Sequence, residues 1–289
     1  MPMHEAIDGI VVRVRDMGNC DRYLSLLTAE RGRIPLLAKG SHSMHSTQAA
    51  VSQMYTYGNY EYYRKGSMNI LKGGSVIQPF YSLSADIDRL NLAAYLCDLT
   101  VELTDEGEEA GDMLRLLLNS LHAVSRELRP QELVKGAFEL RAAVLSGYAP
   151  DLSGCAGCGR AESELFCLDV MNGALICREC RAQRNAAVGR PSSDEELREA
   201  EIVGLMTPAV LAAFRYCAVA PLERLLSFDL HDRADREQFS RLCELYLLSH
   251  IGHGFDSLQF YHNMRAPQAS ADKGNQHELF QQNTDHTGV

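Results

Sequence analysis

Cys155-Ala156-Gly157-Cys158 and Cys177-Arg178-Glu179-Cys180 are two C-x-x-C pairs separated by residues 159–176, and the rest of the chain is organised around them. Two thiolates three positions apart grip one ion through a tight turn, and a second such pair completes the tetrahedral four-sulfur site that zinc favours. The segment between them is built for the return. Phe166-Cys167-Leu168-Asp169-Val170 and Ala174-Leu175-Ile176 are strand-like, and Asn172-Gly173 suits the hairpin turn because both residues tolerate positive φ. Cys155, Cys158, Cys177 and Cys180 are therefore the expected ligands of one structural zinc ion, with Cys167 a hairpin side chain. Four protein thiolates leave no position open for water, which argues against a catalytic metal. A zinc deaminase needs an H-x-E element and a Pro-Cys-x-x-Cys pair, and neither is present. A thioredoxin-like redox site has one C-x-x-C near a βαβ pattern rather than two around a hairpin.

The 289 residues fit two domains, and a hydrophobic content of 46 % is ample for packed cores. Nine cysteines could signal a secreted disulfide scaffold. However, Met1-Pro2-Met3-His4-Glu5 leads directly into a strand-like pattern without a signal peptide, so reduced thiols in a cytoplasm are the expectation. Apolar runs are broken by charge every few residues, which predicts no membrane span. Net charge is −10, yet it is unevenly spread. Residues 1–80 carry nine Lys or Arg against six Asp or Glu, hence +3, and the remainder carries −13. Positive charge gathered on a minority of the chain can form a phosphate-binding face despite an acidic total.

Those first 80 residues alternate with period two. Ala6, Ile10, Val12 and Val14 share one parity, Tyr23-Leu24-Ser25-Leu26-Leu27-Thr28 opens a second strand, and Glu30-Arg31-Gly32 reads as a turn. Arg33-Ile34-Pro35-Leu36-Leu37-Ala38-Lys39 is a third strand, and residues 53–64 and 68–77 are the fourth and fifth. Five strands in so short a stretch predict a small closed OB-type β-barrel. Tyr55, Tyr57, Tyr60, Tyr62 and Tyr63 crowd one strand beside Arg64 and Lys65. Aromatic faces stack bases and cations pair phosphates, although half of any strand faces a core, so two or three of these tyrosines are expected to be packing. The candidate nucleic-acid-binding residues are Arg13, Arg15, Arg22, Arg31, Arg33, Lys39, Tyr57, Arg64, Lys65 and Lys72.

Beyond residue 80 the period becomes helical. Leu90, Ala93, Ala94, Cys97, Val101 and Leu103 form one stripe, with Ser84 as the expected N-cap and Asp86 in the first turn. Asp105-Glu106-Gly107-Glu108-Glu109 ends it. A second helix covers Met113 to Val124 and a third Leu133 to Val144, which together make a bundle. Residues 181–190 read as a polar connector. Thr207-Pro208 then opens a helix with a cap and a proline at its first position, and residues 221–228 and 239–251 supply further helical stretches. The predicted class is α+β: a barrel domain over 1–80, then a helical domain over 81–265 with a zinc module inserted at 151–185, then a disordered tail over 266–289. No phosphate loop, nucleophile elbow or H-E-x-x-H motif is present, and the scattered histidines pair with no nucleophile, so no enzyme is predicted.

This order of parts resembles the RecO family of bacterial recombination mediators over nearly the whole chain to about residue 262. The particular echoes are Gly9-Ile10-Val11-Val12-Arg13, Glu30-Arg31-Gly32, Ala38-Lys39-Gly40, and Gly147-Tyr148-Ala149-Pro150 just before Cys155-Ala156-Gly157-Cys158-Gly159. The resemblance implies a non-enzymatic, nucleoid-associated protein that binds single- and double-stranded DNA and anneals complementary strands. It further implies work with the partner RecR on DNA coated by single-stranded-DNA-binding protein, whose acidic tail is engaged, so that RecA can load. Two departures stand out. The loop at 41–47 is commonly rich in Lys and Arg but here offers only His42 and His45, and Asp256 replaces a usual lysine in Gly254-Phe255-Asp256-Ser257-Leu258. A zinc-stabilised protein-interaction adaptor is the alternative to a DNA binder, and a metal-dependent nucleic-acid enzyme is a third that the four sulfurs disfavour.

Overall fold

The structure, a computed structural model, describes residues 4–18, 20–43, 46–188 and 203–265. The first five strands are β1 (His4–Asp16), β2 (Arg22–Thr28), β3 (Gly32–Ala38), β4 (Thr56–Lys65) and β5 (Met68–Pro79). They close into a barrel in the order β1-β2-β3-β5-β4. All pairings are antiparallel except the closing contact of β3 with β5, which is parallel through Leu37 and Ile70. Asn69 donates its side-chain amide to the Pro35 carbonyl across that short seam at 3.2 Å. The fourth strand starts at Thr56 rather than 53. Tyr55 has φ +62°, a conformation incompatible with a strand. It is held there by burial and by its N–H donating to the Val11 carbonyl.

The alternation in β1 is interrupted. Its pairing with β2 shifts register between Val11 and Arg13, and the extra residue reverses which parity faces inward. Val11 and Val14 therefore pack on the barrel interior with Leu24, Leu36, Tyr60 and Tyr62, whereas Ile10 and Val12 point outward into the helical core. The expectation that Ile10, Val12 and Val14 share a face is corrected by this bulge. It lets one strand seal two cores at once.

Three helices follow: α1 (Ile87–Glu102), α2 (Gly111–Ser125) and α3 (Gln131–Leu145). Asp86, not Ser84, caps α1, accepting from the Arg89 N–H; Ser84 lies two residues earlier in a short 3-10 turn. From Leu133 to Ala143, α3 is buried on every side and forms the axis of the domain. The acidic segment after α1 does more than end a helix. It returns to the β2–β3 turn, where Gly107 N–H donates to the Arg31 carbonyl, Ala110 N–H to that of Ala29, and Arg33 N–H to that of Asp105. Gly32 sits beneath it with φ +55°, and a Cβ there would collide with the Asp105 carbonyl oxygen. Both the backbone conformation and the close approach demand glycine.

The cysteine hairpin grows into a four-stranded sheet in the order β6-β8-β7-β9, comprising β6 (Asp151–Cys155), β7 (Phe166–Asp169), β8 (Ala174–Cys177) and β9 (Val203–Met206). Residues 178–188 form a helix, α4 (Arg178–Val188), instead of the expected polar connector; the rest of that segment lies outside the described residues. α5 (Pro208–Val219) begins as anticipated, with Thr207 Oγ1 accepting from the Val210 N–H. Residues 222–224 are only a 3-10 turn. α6 (Arg233–Ile251) packs against α3, and α7 (Asp256–Arg265) lies along α1. The tail expected to be disordered falls outside the described residues.

Candidate metal centre and nucleic-acid face

The sulfur atoms of Cys155, Cys158, Cys177 and Cys180 all lie within 4.8 Å of one another. Cys158 and Cys177 are 3.8 Å apart, close to the edge of a tetrahedron whose metal–sulfur bonds are ~2.3 Å. β6 delivers Cys155 and β8 delivers Cys177, and these two strands run parallel as neighbours. The first knuckle then turns back on itself. Gly159, at φ +73°, donates its N–H to the Cys155 carbonyl, while Cys155 N–H donates to that of Arg160. Burial would raise the Cys155 thiol, but the N–H groups of Cys177, Cys158 and Gly157 outweigh it and bring the pKa down to about 6. A thiolate is thus favoured at one of the two buried positions of the cluster. The arrangement can hold one metal ion with every ligand supplied by protein. Cys167 lies outside the cluster, buried in β7, where its sulfur accepts from Arg181 Nη1 at 2.9 Å.

The barrel cations divide into two sets. Arg13 bonds Asp98 of α1 at 3.1 Å. Arg33 donates Nε to the Thr104 carbonyl at 2.6 Å and faces Asp105 at 3.9 Å. Both guanidiniums are therefore turned to the seam with the helical domain. Arg31 pairs with Glu5, and Tyr62 Oη donates to the same carboxylate at 2.9 Å. That tyrosine and the Arg31 guanidinium hold the Glu5 carboxyl below its ordinary value. Arg22 and His42 share Asp16, at 3.0 and 3.3 Å. Arg64 donates to the Gly66 carbonyl across its hairpin. Arg15, Lys39, Lys65 and Lys72 are exposed and make no ion pair among the described residues. Of the tyrosines, Tyr55, Tyr60 and Tyr62 are buried, and Tyr57 is half-buried against the helical core. Tyr63 leans on His4, with ring centroids 5.9 Å apart.

The chain matches the family models described as Recombination protein O N terminal over residues 3–80 and Recombination protein O C terminal over residues 84–198. It is 32 % identical over 173 residues to the DNA repair protein RecO of Alkaliphilus metalliredigens, covering 60 % of this chain and 70 % of that one. The chain belongs to the RecO family. The proteins of the same name from Acetivibrio thermocellus and Symbiobacterium thermophilum are 23 % and 27 % identical over 87 % and 81 % of the chain, and each is covered to 94 %. The first RecO segment corresponds to the barrel; the second begins before α1 and runs through the cysteine module. No described helix is long and apolar enough to cross a membrane.

One feature of this RecO-family fold gives little sign of itself in the sequence. Lys135 and Glu139 of α3 are both 0 % exposed. Lys135 Nζ lies 2.8 Å from Glu139 and 2.5 Å from Glu244 of α6, Tyr95 Oη donates to Glu139 at 2.7 Å, and His262 of α7 reaches Glu244 at 2.9 Å. Burial raises the Glu139 carboxyl to about 7 against the pull of Lys135 and Tyr95. An i,i+4 Lys–Glu pair usually marks a solvated helix face. Here it marks the point where four helices meet. Asp256 opens α7, where a carboxylate complements the helix dipole.

Proposed function

We propose that this chain is a DNA-repair mediator that acts by binding rather than by catalysis, its barrel engaging single- and double-stranded DNA and its cysteine cluster carrying a structural zinc ion. The observation that carries the DNA reading is the set Arg15, Lys39, Lys65 and Lys72, exposed cations with no carboxylate partner among the described residues. A guanidinium already paired, as in Arg13 or Arg33, must give up its acid before it can take a phosphate. An unpaired one exchanges only water and counterions. The names of the relatives support the repair role. Strand annealing, cooperation with RecR, engagement of the acidic tail of single-stranded-DNA-binding protein and help in loading RecA, in a bacterial cytoplasm at the nucleoid, complete the proposal.

For the metal, the donor set is the argument. Four thiolates at tetrahedral spacing suit zinc and close its coordination shell. The ion supplies a rigid anchor for β6 and β8.

The test is an anisotropy titration of the full chain with labelled single- and double-stranded oligonucleotides at rising salt. Affinity should fall log-linearly, and replacing Arg15, Lys39 and Lys72 by Ala should reduce the single-strand slope by about 2, at roughly 0.7 for each phosphate no longer neutralised. The pair Arg13→Ala and Arg33→Ala should change that slope less. A triple variant with the wild-type slope would overturn the assignment of this face.

A further inference from the structure

One row of the barrel can be followed strand by strand: Arg15 opposite Tyr23, Tyr23 opposite Leu37, Leu37 beside Ile70, Ile70 opposite Tyr63, and Tyr63 opposite His4. Register partners emerge on the same side of a sheet. The next row inward, Val14, Leu24 and Leu36, packs in the barrel interior, so the row with Arg15 and Tyr23 faces out. Tyr23 is 40 % exposed, and its hydroxyl has no hydrogen-bond partner among the described residues. Leu37 beside it is half-buried. One unpaired cation stands directly across from the ring, and two more lie beyond Leu37 toward the same end of the barrel. Arg15 is its register partner on β1, and Lys39 follows the end of β3, where the parallel step from Leu37 and Ile70 brings Lys39 and Lys72 to the same end of the barrel.

A flat, exposed aromatic ring between unpaired cations, on the outer wall of strands 2 and 3, is the arrangement that stacks a base while its flanking phosphates are neutralised. We propose that Tyr23 is a base-stacking platform for single-stranded DNA, with Arg15 on one side and Lys39 and Lys72 on the other holding the phosphates of the stacked nucleotide and its neighbours. The proposal rests on the DNA-binding reading above and adds to it a residue and a preference. A duplex keeps its bases stacked on one another, so Tyr23 favours single strands, while the cations serve both forms.

The chain contains no tryptophan, so Tyr23→Trp creates a single reporter at the site. Titrating full-length Tyr23→Trp with oligothymidylate should quench its emission in step with binding measured by anisotropy of a labelled strand. Tyr81→Trp, at an exposed position outside the barrel strands, should bind equally and keep its emission. Tyr23→Ala should weaken single-strand binding about tenfold and leave duplex binding within about twofold, with Tyr23→Phe near wild type. Circular dichroism melts of each variant confirm the fold. A Tyr23→Trp protein that binds without quenching, or a folded Tyr23→Ala protein with undiminished single-strand affinity, overturns the platform while DNA binding by the barrel stands. A wild-type chain that binds no oligonucleotide overturns both.

Discussion

The cysteine cluster and the barrel's cationic face are both gatherings of like residues, yet they are assembled in opposite ways. Four sulfurs come from two tetrapeptides within residues 155–180, and the β7–β8 hairpin with the neighbouring β6–β8 pairing brings them within 4.8 Å. The cations come from all five barrel strands and their connections, and whether each meets solvent or a carboxylate depends on a bulge, a closing seam and the position of the helical domain. A site built from neighbours in sequence is robust to the rest of the fold. A site built from register is decided by it.

The largest expected effect lies at the local site. Cys177→Ser should abolish the bound metal ion and destabilise the protein by on the order of 5 kcal/mol, since metal binding to such a cluster is also folding free energy. Elemental analysis beside a thermal melt tests this, and a metal-free protein with unchanged Tm would remove the structural role. Next comes the seam. Gly32→Ala places a methyl group against the Asp105 carbonyl in a left-handed conformation, and a loss of roughly 3 kcal/mol is expected from strain and undocking. A variant whose denaturant unfolding stays within about 0.5 kcal/mol of wild type, the range of an ordinary surface substitution, would show that the acidic segment does not fasten the barrel.

The smallest effect concerns the buried charges. The Glu139 carboxyl is raised from its ordinary 4.5 to about 7 in the fold. The folded state thus prefers it protonated, and that contribution is complete below pH 4.5 and lost as pH rises through 7. Lys135 retains its charge across this window, its pKa raised by the two carboxylates against the cost of burial. Stability should therefore decline by about 2 kcal/mol between pH 5 and pH 8 through this group, and Glu139→Gln should flatten the decline. Equal slopes for the two proteins in urea titrations at several pH values would refute the linkage.

Much of this architecture is legible in the sequence because it obeys short-range rules. The hairpin between the cysteines, the Thr207-Pro208 cap and the five strands each follow from turn chemistry, capping or period. The features that the sequence conceals lie where distant segments meet. α4 has the polar composition of a connector and folds as a helix behind the cysteine sheet. β9 gains its identity only from pairing with β7. The tyrosines at 55–63 look alike in sequence, but burial removes Tyr55, just before β4, and Tyr60 and Tyr62 within it from the surface. Tyr23, which no cluster marks, is the exposed one on the cationic side.

By itself the sequence determined the four cysteines that cluster, the barrel-then-helices order and the basic bias of the first 80 residues. Each is a matter of residue type and spacing over a few turns of chain. Only the tertiary structure decided which cations are engaged within the fold, because that engagement requires partners some 70 to 85 positions away, as for Arg33 with Thr104 and Arg13 with Asp98. It also decided that Lys135 and Glu139 lie in the core, where desolvation makes their pairing obligatory rather than ornamental.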